Sequence, residues 1–172
     1  MLEGARGRAV VLVGSADVAE RPDVPLPWEE RRDLLIALLH TRGVDTKRIS
    51  FTPLAELKTD GWDARWCGYL LDAARGALAA EPSLYVFGDD YDASVFATLV
   101  AVAPSLVLLR VPRRYDKSAR ELRAAIATDD AVLRAKYADE LAVYPPETCA
   151  RIARVCAARV DRPQGGGSPP SP

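Results

Sequence analysis

Five stretches of this chain carry residue types suited to handling a ligand, and no stretch pairs a nucleophile with its base. Gly14-Ser15-Ala16 follows the apolar run Ala9–Val13. Small residues at that point let a ligand approach the backbone, and free N–H groups there can hold a phosphate or a ring. A tight strand-to-loop turn accounts for them equally simply. Arg31 follows two acids and suits bidentate phosphate recognition, or else is a solvated charge. Trp66, in Arg65-Trp66-Cys67-Gly68, is either a core residue or a plate for stacking a flat aromatic ligand. Glu56, ten residues earlier, could accept hydrogen bonds from an amide on the same ligand. Its plainer role is surface.

Gly88-Asp89-Asp90-Tyr91-Asp92 places three aspartates in a turn. They suit a magnesium ion or a ribose hydroxyl pair, or simply a turn and helix N-cap. Arg110, Arg113, Arg114, Lys117, Arg120 and Arg123 form the densest cluster of positive charge. It surrounds an expected helix start at Ser118, where free N–H groups and cations together attract anions. A solvated basic loop is the competing reading. His40, the one histidine, falls mid-helix beside Leu38 and Leu39; a Ser-His-Asp triad would need it, and its plainer role is a structural or surface histidine.

The elements that must position these residues are legible as alternating patterns. Apolar or alternating runs at 9–13, 48–52, 83–87 and 105–111 read as strands, stopped by Gly14, Pro53, Gly88 and Pro112. Helical spacing or composition marks 28–40, 64–79, 92–102, 118–127, 129–138 and 146–160. Pro27 and nearby acids open the first helix, and Gly43 ends it. Strands alternating with helices imply an α/β fold with a parallel sheet. Ligands bind such sheets at the carboxyl ends of the strands, where Gly14, Pro53, Gly88 and Pro112 lie.

At 172 residues, with 49% hydrophobic and 27% charged residues, the chain reads as one domain over 1–160. A Gly/Pro/Ser tail over 161–172 is unable to pack. The net charge of −1 gives no global argument for nucleic acid or an anionic membrane. Cys67, Cys149 and Cys156 form no Cys-x-x-Cys pair and read as structural thiols in a reducing compartment. No signal peptide or bilayer-spanning run is recognisable, so the expected location is cytoplasmic.

Taken in order, the segments over 9–155 resemble the archaeal-type and Nudix-fused nicotinamide-nucleotide adenylyltransferases of the HxGH nucleotidylyltransferase superfamily. Gly14-Ser15-Ala16 leads to Pro25 and then Glu30-Arg31. Pro53-Leu54-Ala55-Glu56 and Trp66 follow, then Gly88, and then Ser118-Ala119-Arg120-Glu121-Leu122-Arg123, which parallels the family's Ile-Ser-x-Thr-x-x-Arg. The resemblance implies a Rossmann-like sheet and transfer of AMP from ATP to nicotinamide mononucleotide, giving NAD and pyrophosphate, with Mg²⁺ accompanying ATP. It implies that Trp66 stacks on the nicotinamide and that Glu56 replaces an aspartate near the carboxamide. Arg31 would meet a phosphate, and Ser118 and Arg123 would hold the ATP phosphates. Gly14, Ser15, Ala16, Gly88, Asp89 and Arg120 complete the expected site, and a homo-oligomer is compatible with it.

The departures are equally specific. The family's first strand and its His-x-Gly-His segment have no counterpart here. Arg120 replaces a threonine, and Pro27 stands where the family has the threonine before Glu-Arg. A sheet lacking that strand leaves an unpaired edge at its centre. The protein is then either longer upstream or a divergent relative that pairs with something else. Activity is expected to be weak or absent. The rival functions are a non-catalytic nucleotide-binding or regulatory module and a nucleotidylyltransferase for another acceptor.

Overall fold

A computed structural model describes residues 7–57, 64–87, 93–111, 117–128 and 130–157. Gly88, Asp89, Arg113, Arg114 and the tail over 161–172 lie outside the described residues. The fold is mixed α/β, with seven helices and four strands described. The span expected as one domain contains two compact units. One comprises Met1–Val18 and Pro27–Asp116, the other Ala19–Leu26 and Lys117–Pro172.

In the first unit, β1 (Ala9–Val13) is followed by α1 (Trp28–Thr41) and β2 (Ile49–Pro53). Then come α2 (Ala64–Leu78), β3 (Leu84–Phe87), α3 (Ala93–Val102) and β4 (Val107–Arg110). The strands form two parallel pairs instead of the single expected sheet. β1 pairs with β2 in the register Ala9↔Ile49 to Val13↔Pro53. β3 pairs with β4 in the register Leu84↔Val107 to Phe87↔Arg110. Pro53 ends β2 from inside the strand, as its last residue.

Both pairs rest on one core. Cys67, Leu70, Leu71 and Ala74 recur on α2 at helical spacing and are buried. The first three join Leu99 and Leu106 in a cluster against which Leu12, Tyr85 and Leu108 pack. Full burial of each such aliphatic side chain contributes about 1.5–3 kcal/mol.

α1 departs from its pattern. Leu34, Leu35, Leu38 and Leu39 have the spacing of a core face, yet no residue of α1 is buried. The cause is geometric. Two strands about 5 Å apart make a strip narrower than a helix about 10 Å wide. Its ends follow the expected chemistry. Glu29 and Glu30 lie in the first turn. Gly43 adopts φ +73°, which lets Gly43 N–H reach His40 O and Val44 N–H reach Leu39 O, both at 3.0 Å.

The second unit holds α4 (Ala119–Ala127), α5 (Ala131–Lys136), α6 (Ala138–Leu141) and α7 (Pro146–Ala157). The expected helix 129–138 breaks at Tyr137, which adopts φ −109° and ψ 18°. Asp130 caps α5 by accepting from Val132 N–H and Leu133 N–H. Among the described residues, no helix is long and apolar enough to cross a membrane.

Candidate functional site

The carboxyl ends of β1 and β2 are stitched into one rim. Val13 O accepts from Leu54 N–H at 2.9 Å, and Leu54 O accepts from Ala16 N–H at 3.0 Å. The Asp17 carboxylate accepts from Glu56 N–H at 2.7 Å. Asp17 is a residue that sequence reading missed. Its only signal was a short acid three residues after a glycine, and its partner lies 39 positions away.

Ser15 sits at φ +53°, a left-handed conformation that costs a non-glycine residue energy. Arg31 holds it there. The guanidinium donates to Gly14 O at 2.7 Å and to Ser15 O at 2.8 Å. Burial pushes the Arg31 guanidinium below its ordinary pKa, and Glu29 opposes that shift. The residue expected to meet a phosphate therefore braces the loop, with two of its donors on backbone carbonyls.

This rim bounds a groove of about 380 Å³, within the range of small-molecule sites. Gly14, Ser15, Leu54, Glu56, Leu57 and Trp66 line it. Trp66 is half-buried and packs in part against the core cluster, so core packing and groove lining coexist in one indole. Glu56 is exposed at the same groove. Ala16 is not among its lining residues; its N–H donates to Leu54 O.

The basic segment behaves differently. Ser118 caps α4, its Oγ accepting from Glu121 N–H at 3.2 Å. Its own N–H donates to the Tyr137 hydroxyl at 2.6 Å. Ser-x-x-Glu predicts a reciprocal box, in which the glutamate returns to the serine N–H. Tyr137 takes that place. Glu121 instead accepts from the Tyr137 hydroxyl at 2.7 Å and from Lys136 at 2.9 Å. The Tyr137 hydrogen bond, followed by Lys136, holds the Glu121 carboxyl below the usual carboxylate range.

Lys117 pairs with Glu140 at 2.7 Å. Lys117 and Lys136 lie 5.5 and 5.7 Å from the centre of the Tyr137 ring. Arg120 and Arg123 instead line a second groove, of about 440 Å³, with Asp23 and Cys156. Neither arginine makes an ion pair with a described residue.

His40 sits on an exposed helix end, its Nε2 2.9 Å from Thr46 Oγ1, and reaches neither groove. All three cysteines are free thiols, with Cys67 buried. No group of three or more His, Cys, Asp or Glu among the described residues is arranged to hold a metal. No protein-family model matches the chain, and no curated protein matches it.

Proposed function

We propose that the groove at the ends of β1 and β2 takes a flat, amide-bearing nucleotide, and that the chain is a Rossmann-like relative of the nicotinamide-nucleotide adenylyltransferases. The observation that carries this reading is the meeting of Gly14, Ser15, Glu56 and Trp66 at one groove. An indole supplies a stacking face, a carboxylate accepts from a carboxamide, and small residues leave room for the ring. The ligand in this reading is nicotinamide mononucleotide, with ATP as co-substrate and a cytoplasmic setting.

Transfer of AMP would rest on positioning and charge neutralisation. The attacking phosphate oxygen forms a bond to the α-phosphorus of ATP, and the bond to pyrophosphate breaks. Magnesium bound to ATP would supply charge screening. The described residues do not form a site for the ion, so no step is assigned to it. Within the second unit, taken by itself, Arg120 and Arg123 line a groove of their own and offer cations to an anion, whereas Ser118 N–H and Glu121 are committed to the Tyr137 network.

One observation favours a second reading, a nucleotide-binding module with little or no turnover. Two donors of Arg31 brace the backbone, and no imidazole lies at either groove. Loss of a single charge-stabilising donor costs on the order of 10²–10³ in rate in a studied hydrolase.

Calorimetry with nicotinamide mononucleotide tests the shared premise. Trp66→Ala should weaken binding by roughly 5- to 150-fold, the worth of about 1–3 kcal/mol of stacking. Undiminished affinity would sink the site. An assay of NAD formation from ATP then separates enzyme from module.

A further inference from the structure

The ladder between β1 and β2 runs past the ends of both strands, and beyond them it is rewired. In a regular parallel pair, a residue gives its N–H and its C=O to the two neighbours of its partner. The register Val13↔Pro53 therefore calls for Leu54 N–H at Val13 O. One step on, it calls for Ser15 N–H at Leu54 O and Glu56 N–H at Ser15 O. The first of these bonds is present at 2.9 Å. In the second, Ala16 N–H stands in for Ser15 N–H, reaching Leu54 O at 3.0 Å. In the third, the Asp17 carboxylate stands in for Ser15 O, accepting from Glu56 N–H at 2.7 Å.

The cause lies at Ser15. Its φ of +53° turns the chain out of the strand direction. Ser15 is thus an inserted residue, of the kind that shifts a ladder by one position. Its carbonyl instead accepts from Arg31 at 2.8 Å and from Val18 N–H at 3.3 Å. Asp17 restores with a side chain the acceptor that the main chain withdrew.

That substitution matters at the groove, because Glu56 supplies its carboxylate. The N–H of Glu56 is one bond from the Cα that bears the side chain. Pinning it sets the direction in which the side chain leaves the backbone, as a supporting residue does for a binding group. Glu56 is exposed, so without this bond its carboxylate has solvent to swing into.

We infer that Asp17 is a positioning residue which, by holding Glu56, makes the groove prefer a ring bearing a carboxamide over one bearing a carboxylate. The inference rests on the nucleotide reading of the same groove. A carboxamide N–H donates to the Glu56 carboxylate in a charge-assisted bond. A ring carboxylate has no such hydrogen and brings a like charge to the same place. A fixed glutamate meets that charge, whereas a loosened one withdraws from it. The preference therefore depends on Asp17 as well as on Glu56.

Calorimetry on the full chain compares nicotinamide mononucleotide with nicotinate mononucleotide. The parent protein should bind the amide roughly tenfold more tightly than the acid. Asp17→Ala should weaken the amide roughly 3- to 10-fold and the acid hardly at all. Asp17→Asn keeps an oxygen that can accept from Glu56 N–H, and should recover most of the lost preference. Glu56→Gln should lose the preference with Asp17 in place, since the like charge is gone.

Equal weakening of both ligands in Asp17→Ala overturns the inference, because a purely structural aspartate does that. An Asp17→Asn variant that behaves like Asp17→Ala overturns it, and so does an undiminished preference in Glu56→Gln. These last two variants decide the matter even if Asp17→Ala gives no cooperative melt. A parent protein that binds both mononucleotides equally overturns the inference and leaves the nucleotide reading standing. A parent protein that binds neither overturns both.

Discussion

The groove beside Trp66 and the cap beside Ser118 are both built where a helix or strand ends, and they use their polar groups in opposite ways. At the groove, hydrogen bonds run between backbone segments, and a carboxylate and an indole line the space beside them. At the cap, Lys117, Glu121, Lys136 and Glu140 satisfy one another around a tyrosine that is 2% exposed. The first arrangement shapes a groove. The second converts a cluster of charges into structure. A run of basic residues thus indicates an anion site only once its internal partners have been counted.

The comparison breaks most visibly at Tyr137. Tyr137→Ala should cost about 3–5 kcal/mol through the cavity and the stranded Ser118 N–H. A urea melt reads it, and a loss below about 1 kcal/mol would make the network incidental. Arg31→Ala should cost about 2–3 kcal/mol, because two charge-assisted bonds that hold a strained loop disappear. Arg31→Lys should rescue less than half of that, since an ammonium lacks the planar fork. Both variants should also weaken nucleotide binding at the groove, which a merely stabilising arginine would leave unchanged. Ser118→Ala should cost about 1 kcal/mol, the usual worth of an N-cap.

The smallest effect is one of pH. The folded Glu121 carboxyl titrates below its unfolded value of about 4.3. Its contribution is therefore fully present above that value and fades as pH falls through the folded one. Thermal melts of Glu121→Gln should show a flatter acid limb below about pH 4.5 than those of the parent protein. Equal slopes would mean that the carboxylate gains nothing from Tyr137 and Lys136.

The sequence made the strands plain because apolar runs bounded by Gly and Pro have few other uses. It made α2 plain because one face is apolar at helical spacing. Gly14, Ser15, Glu56 and Trp66 were each ambiguous alone, and their common groove follows from β1 pairing with β2. What stayed hidden depends on partners far along the chain. Arg31 reads as a phosphate ligand until Gly14 O and Ser15 O are placed beside it. Tyr137 carries no motif, yet it breaks a helix and takes the serine N–H that a capping box reserves for glutamate. The parallel strands were foreseeable, whereas their division into two pairs shows only in the ladder.

The three free thiols are divided between the two compact units, Cys67 in one and Cys149 and Cys156 in the other. Cys67 has no surface open to solvent, so a thiol reagent can reach it only when the first unit opens. Burial pushes the Cys149 and Cys156 thiols above their ordinary pKa, which keeps their thiolate fraction small and slows their labelling as well. Cys67 is therefore a built-in clock for the first unit, while the partly exposed Cys149 and Cys156 are open to reagent without any opening. Timed alkylation followed by peptide mass mapping at Cys67 would read the opening rate of the first unit without adding a probe.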